Sequence, residues 1–112
     1  MSPITTHILD THRGCPASQV PIELRKQVDG RFEIVAQGQT NDDGRLPGLL
    51  PEGGLTPGIY QMFFDTKHYH SHLGIQGFYP YVEVTFEIVH TSQHYHVPLL
   101  ISPFGFSTYR GS

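Results

Sequence analysis

Tyr81-Val82-Glu83-Val84-Thr85-Phe86-Glu87-Ile88-Val89 alternates without a break, and after a short turn Gln93-His94-Tyr95-His96-Val97-Pro98-Leu99-Leu100-Ile101 alternates again. In the first run Val82, Val84, Phe86 and Ile88 share one face, opposite Tyr81, Glu83, Thr85 and Glu87. In the second, Tyr95, Val97, Leu99 and Ile101 oppose His94, His96, Pro98 and Leu100. A period of two is the signature of half-buried β-strands, because successive side chains leave a strand on opposite faces. Pro98 has no amide proton to give to a ladder, so an edge or interface position is expected there.

The same pattern extends in both directions. Ser102-Pro103 turns the chain into a final strand, in which Phe104 and Phe106 alternate with Gly105 and Ser107. At the other end, Ile4 to Leu9 puts Ile4, Thr6 and Ile8 on one face and Thr5, His7 and Leu9 on the other. A loop over Asp10 to Ala17 leads to a strand over Gln19 to Gln27, with Val20, Ile22 and Leu24 inward. Asp29-Gly30 reads as a type I′ hairpin turn, which requires positive φ at both positions. Its partner strand, Arg31 to Gln37, is expected to bury Phe32, Ile34 and Ala36. A turn at Asn41-Asp42-Asp43-Gly44 delivers Arg45 to a short apolar piece, Leu46 to Leu50, and Gly58 to Asp65 forms the next strand. Asp65-Thr66 looks like a helix cap, followed by two turns over Lys67 to Leu73 that Gly74 closes.

Counting Leu46 to Leu50, about eight short strands with frequent turn signals and one short helix imply an all-β antiparallel sandwich, one domain over residues 1–112. A chain of 112 residues buries about two-thirds of its unfolded surface without needing cross-links. The single Cys15 permits no internal disulfide, and no function attaches to it. No basic segment followed by an apolar run opens the sequence, and no apolar stretch reaches the ~20 residues a membrane span needs, so a cytosolic protein is expected. A net charge of −3, from seven basic and ten acidic residues, forms no basic stripe for nucleic acid. Leu9, Leu100, Tyr60 and Tyr81 read as apolar residues on faces away from the core, which points to a symmetric oligomer.

Eight histidines against no tryptophan are the unusual feature of the composition. His68, His70 and His72 alternate within the short helix, point in different directions at helical spacing, and read as solvated surface. His94 and His96 share a strand face, a spacing that suits metal ligation, but a zinc site wants three or four ligands and Cys15 follows no ligand-pair spacing. No metal or cofactor is therefore expected. His7 lies on the outer face of the first strand and His96 on that of the seventh. Were these strands neighbours, two imidazoles would reach one small molecule, one taking a proton from water while the other manages the leaving nitrogen. Arg45 and Arg110 can hold an anionic or carbonyl-rich substrate and stabilise a developing oxyanion. The chain closes on Tyr109-Arg110-Gly111-Ser112, with a phenol, a guanidinium, a permissive glycine, and a hydroxyl beside the terminal carboxylate.

Ile8-Leu9-Asp10 with Arg13-Gly14-Cys15-Pro16-Ala17, Asn41-Asp42-Asp43-Gly44-Arg45, Phe64-Asp65-Thr66-Lys67 and Tyr95-His96-Val97-Pro98-Leu99-Leu100-Ile101-Ser102-Pro103 together resemble the transthyretin family. The terminal Tyr109-Arg110-Gly111-Ser112 is similar to the ending of its enzyme branch, the 5-hydroxyisourate hydrolases of purine catabolism. The resemblance implies a prealbumin-like sandwich of two four-stranded sheets with a short helix, assembled as a homotetramer. It also implies metal-independent hydrolysis of a ring amide of the small molecule 5-hydroxyisourate. His7, Arg45 and His96 would be the catalytic residues and Tyr109, Arg110, Gly111 and Ser112 the substrate-binding tail. The branch that carries hormones lacks the two histidines and this ending.

Overall fold

The computed structural model describes residues 2–112. Eight strands and one helix run in chain order: β1 (Ile4–Asp10), β2 (Cys15–Pro16), β3 (Pro21–Val28), β4 (Arg31–Gln39), β5 (Gly58–Phe64), α1 (Thr66–His72), β6 (Val82–Ile88), β7 (Tyr95–Ser102) and β8 (Gly105–Thr108). They form two four-stranded sheets, ordered β2-β1-β7-β8 and β4-β3-β5-β6. Five of the six strand pairs are antiparallel, and β1 with β7 is parallel. The expected sandwich with one helix is present. Its eighth strand, however, is Cys15–Pro16 paired with Leu9–Asp10, whereas Leu46 to Leu50 is loop that sends Leu49 and Leu50 into the core.

The alternation read from the sequence is what closes the core. Ile4 and Ile8 from β1 and Tyr95, Val97, Leu99 and Ile101 from β7 meet Ile22, Leu24, Met62, Phe64, Val82 and Ile88 of the other sheet. Asp29 and Gly30 have φ of 51° and 79°, as a type I′ turn demands. Asp65 caps α1 by accepting from the His68 N–H at 3.0 Å.

Several expectations are corrected. Ile34 is 54% exposed, because Leu24 pairs with Ala36 while Arg25 pairs with Ile34. The additional residue, Val35, is a β-bulge, and it turns everything before it on β4 to the opposite face. Tyr60 is buried and stacks near Phe86 rather than facing outward. Pro98 lies inside its sheet, not at an edge. The β7–β8 ladder stops at Leu99 with Thr108, and the Thr108 hydroxyl donates to the Pro98 carbonyl at 2.7 Å. Pairing then resumes in the same register where His96 meets Gly111. The missing proline donor is thus absorbed as a local gap, and the last residues are carried back onto the sheet.

In α1, the histidines behave differently from one another. His68 and His72 lie one turn apart on the exposed face, with ring centroids 4.4 Å apart, so these two do converge. His70 faces inward and is buried, so it is not solvated surface, and neither ring nitrogen has a hydrogen-bond partner among the described residues.

Candidate active site

β1 and β7 are neighbours, and their outer faces meet in one place. The parallel register sets Thr5 beside His96 and His7 beside Pro98. Strands lie about 4.8 Å apart and residues about 3.3 Å along a strand, so His7 and His96 stand diagonally, roughly 8 Å apart along the backbone. Both rings project from the same side of the sheet, since His7 and Thr5 are two residues apart.

Arg45 reaches this face through a turn that the sequence dictates. Asn41 Oδ1 accepts from the N–H groups of Asp43 and Arg45 at 2.9 and 3.1 Å, and the Asn41 N–H donates to the Arg45 carbonyl at 2.7 Å. Gly44 then passes against β1, where its carbonyl accepts from the Ile8 N–H at 2.8 Å. Its φ is +74°, and any Cβ there would collide with the Ile8 carbonyl oxygen, so only glycine fits. The outcome is an antiparallel bridge between His7 and Arg45. His7 is therefore flanked by β7 on one side and by Arg45 on the other.

The chain terminus covers His96. The Gly111 N–H donates to the His96 carbonyl at 2.9 Å. A cavity of about 590 Å³ opens here, lined among others by Thr5, Arg45, Pro47, His94, His96 and Ser112. Burial pushes the His96 imidazole below the ordinary histidine value, and Arg45, His94 and His7 push the same way; a hydrogen bond to the Thr5 backbone pulls it up. Near neutral pH His96 thus carries a free lone pair, the condition for a general base.

Not every expected residue lines this cavity. His7 stands beside it, bridged to Arg45, without lining it. Arg110 stacks its guanidinium 4.5 Å from the centre of the Tyr95 ring and donates to Gln93 Oε1 at 2.9 Å. It occupies, with Tyr109, a smaller groove bordered by Phe86, Tyr95 and Val97. Tyr109 is 60% exposed. Conversely, Thr5 and His94 belong to the cavity, although the sequence marks His94 only as a possible metal ligand and Thr5 not at all. The Thr5 hydroxyl is 2.8 Å from His96 Nδ1 and 3.1 Å from His94 Nε2. The only signal in the sequence was their position on outward faces. It gains meaning only once β1 and β7 are known to pair and in which register.

The fold and cavity define a transthyretin-type β-sandwich with a polar, histidine-lined groove on one sheet. The HIUase/Transthyretin family profile matches residues 4–111, and the chain belongs to that family. It is 47% identical over 118 aligned positions to the 5-hydroxyisourate hydrolase of Mus musculus, covering 99% of this chain and 96% of that one. The 5-hydroxyisourate hydrolase of Pseudomonas aeruginosa is 41% identical, with 100% and 93% covered. Among solved structures, sea bream transthyretin in complex with thyroxine superposes with a TM-score of 0.93 at 32% identity, covering 98% of this chain and 95% of that one.

Proposed function

We propose that this chain hydrolyses 5-hydroxyisourate, opening its six-membered ring by adding water across a ring amide. The relatives at 41–47% identity that carry this activity in their names support the substrate. The observation that supports the chemistry is the meeting of His7, Arg45 and His96 on one face beside Gly111 and Ser112. His96, held below its ordinary pKa, removes a proton as the water oxygen bonds to the amide carbon. The Arg45 guanidinium stabilises the negative charge that develops on the carbonyl oxygen. When the carbon–nitrogen bond breaks, the proton is returned to the leaving nitrogen, with His7 as the second imidazole in reach. Ser112 lines the cavity and orients substrate, and Gly111 keeps the tail close over His96. Tyr109 and Arg110 shape the tail from outside the cavity.

The working form in this reading is a homotetramer in the cytosol. Phe78, Tyr81, Phe104, Phe106 and Tyr109 expose 44–75% of their surface, more apolar area than a monomer is expected to leave to water. Light scattering on the active protein tests the assembly, and a fully active monomer would refute it. The activity is tested by following the decay of freshly generated 5-hydroxyisourate by ultraviolet absorbance. Acceleration over the spontaneous rate is expected, whereas decay at the protein-free rate together with tight ligand retention would favour a carrier.

A further inference from the structure

Thr5 stands directly beside His96 in the β1–β7 register, and its hydroxyl touches two imidazoles at once. The rings of His94 and His96 are nearly parallel, 15° apart with centroids separated by 6.5 Å, and each turns a nitrogen to this one oxygen. A hydroxyl has a single proton to donate. When it donates to one ring it must accept from the other, and in that case the tautomers of His94 and His96 are tied together.

Two arrangements have Thr5 donating to a ring, and a third, in which it accepts from both, places the His96 proton on Nδ1 as the first of these does. In the first, His96 carries its proton on Nδ1 and donates it to Thr5, and Thr5 donates to a bare Nε2 of His94. In the second every donor is reversed, and His96 carries its proton on Nε2. Of the two donating arrangements, only the first leaves a lone pair on His96 Nε2, the nitrogen that the Thr5 hydroxyl does not touch. It also survives the reaction. Once Nε2 has taken a proton from water, the imidazolium still donates from Nδ1 to Thr5, so no hydrogen bond has to turn round. The reversed arrangement would have to break two bonds first. On the other side of the ring, the Gly111 backbone lies against His96 Cδ2, which restricts rotation of the imidazole.

We propose that Thr5, backed by His94, is a positioning residue that holds His96 in the Nδ1–H tautomer and presents Nε2 as the base. The inference rests on the reading of His96 as that base. A β-branched side chain suits the task, because χ1 of threonine is restricted in a strand and the hydroxyl is held on one side. Hydrogen bonds that orient metal-binding histidines typically contribute about 10- to 100-fold to activity, and a bond that fixes a catalytic imidazole is expected to act on a similar scale.

The test compares Thr5→Val, which keeps the shape and removes the hydroxyl, with Thr5→Ser, which keeps the hydroxyl. Nitrogen-15 NMR of the labelled full-length protein reads the His96 tautomer directly, without substrate. The ring-opening assay on the same samples gives kcat and KM. Thr5→Val should convert His96 from one tautomer to a mixture and lower kcat about 10-fold or more with KM little changed. Thr5→Ser should restore both, and melting temperatures should stay close to the parent. His96→Asn, assayed alongside, tests the base assignment separately: full activity in that variant defeats the catalytic reading while leaving the tautomer result intact. An unchanged His96 tautomer in Thr5→Val overturns the proposal. So does full turnover in a Thr5→Val protein whose tautomer has shifted.

Discussion

Gly111 lies so close over His96 that a Cβ added to it would sit 2.6 Å from His96 Cδ2. Its N–H is bonded to the His96 carbonyl at 2.9 Å, so the backbone cannot simply lift away. An alanine must therefore push the imidazole, and the imidazole is held by Thr5 on its other side. Gly111→Ala should fold normally and lower kcat/KM between about 10- and 100-fold, since small misplacements of a reacting group are this costly. Ring-opening kinetics and a thermal melt check both halves, and unchanged kinetics would show that the close approach has no catalytic consequence.

His7 and His96 are outward-facing, so replacing either removes little core packing. Asn at either position should lower turnover about 100-fold or more while the melting temperature stays within a few degrees. Near-normal turnover in both single variants would remove the pair as acid and base.

The strands were legible because burial on one face imposes a period of two on β1, β6 and β7. What the sequence could not reveal depended on pairing. Ile34 alternates correctly with Phe32 and Ala36, and only the bulge at Val35, set by the partner strand, turns it outward. Pro98 lacks a donor, yet an interior strand accommodates it because the Thr108 hydroxyl satisfies its carbonyl and the ladder resumes at Gly111. The candidate site was legible as residue types, His7, Arg45 and His96, but their meeting on one face was not. Thr5 joins it through strand register, and Arg110 leaves the cavity because its pairing position next to Gly111 aims it toward Tyr95.

The acid limb of activity should fall below the ordinary histidine value. His96 is pushed down mainly by burial and then by the positive Arg45, so its protonation is displaced to lower pH than that of an ordinary histidine. Replacing Arg45 with Gln removes one of those influences and should raise the His96 pKa. NMR titration of the His96 ring measures this independently of the activity that Arg45 itself supports. A His96 titration unchanged in Arg45→Gln would mean that Arg45 does not act electrostatically on the ring.

Away from the cavity, Tyr69 ties α1 to β1. Its hydroxyl donates to Asp10 Oδ2 at 2.7 Å and accepts from Arg13 at 3.2 Å, and Asp10 is buried. Tyr69→Phe strands a buried carboxylate oxygen and should cost about 1.5–3 kcal/mol, on the order of 10 °C in melting temperature. Burial, and next the bond to Asp10, raise the Tyr69 phenol from 10.0 to about 12. The folded state thus keeps a proton that the unfolded chain releases. That contribution is complete below about pH 10 and is lost as pH rises through about 12. Urea midpoints measured from pH 9 upward should decline less steeply in Tyr69→Phe than in the parent.

Deleting Tyr109 to Ser112 separates a structural role of the tail from a role in the site. The apolar alternation of β8 ends before the cut, and the bond from Thr108 to the Pro98 carbonyl is retained. What is lost is the bridge of Gly111 to His96 and the stacking of Arg110 on Tyr95. A cation over an aromatic ring at an exposed site contributes about 0.5–1 kcal/mol, so the melting temperature should drop by only a few degrees. Activity should suffer far more, because His96 loses the backbone that covers one edge and the cavity loses Ser112. The companion variant Arg110→Ala keeps Gly111 and Ser112 and should show the same small loss of stability with most of its turnover intact. If Arg110→Ala is as inactive as the deletion, the guanidinium acts on substrate and its place over Tyr95 is a resting position. If the deletion itself is fully active, the tail has no part in the site.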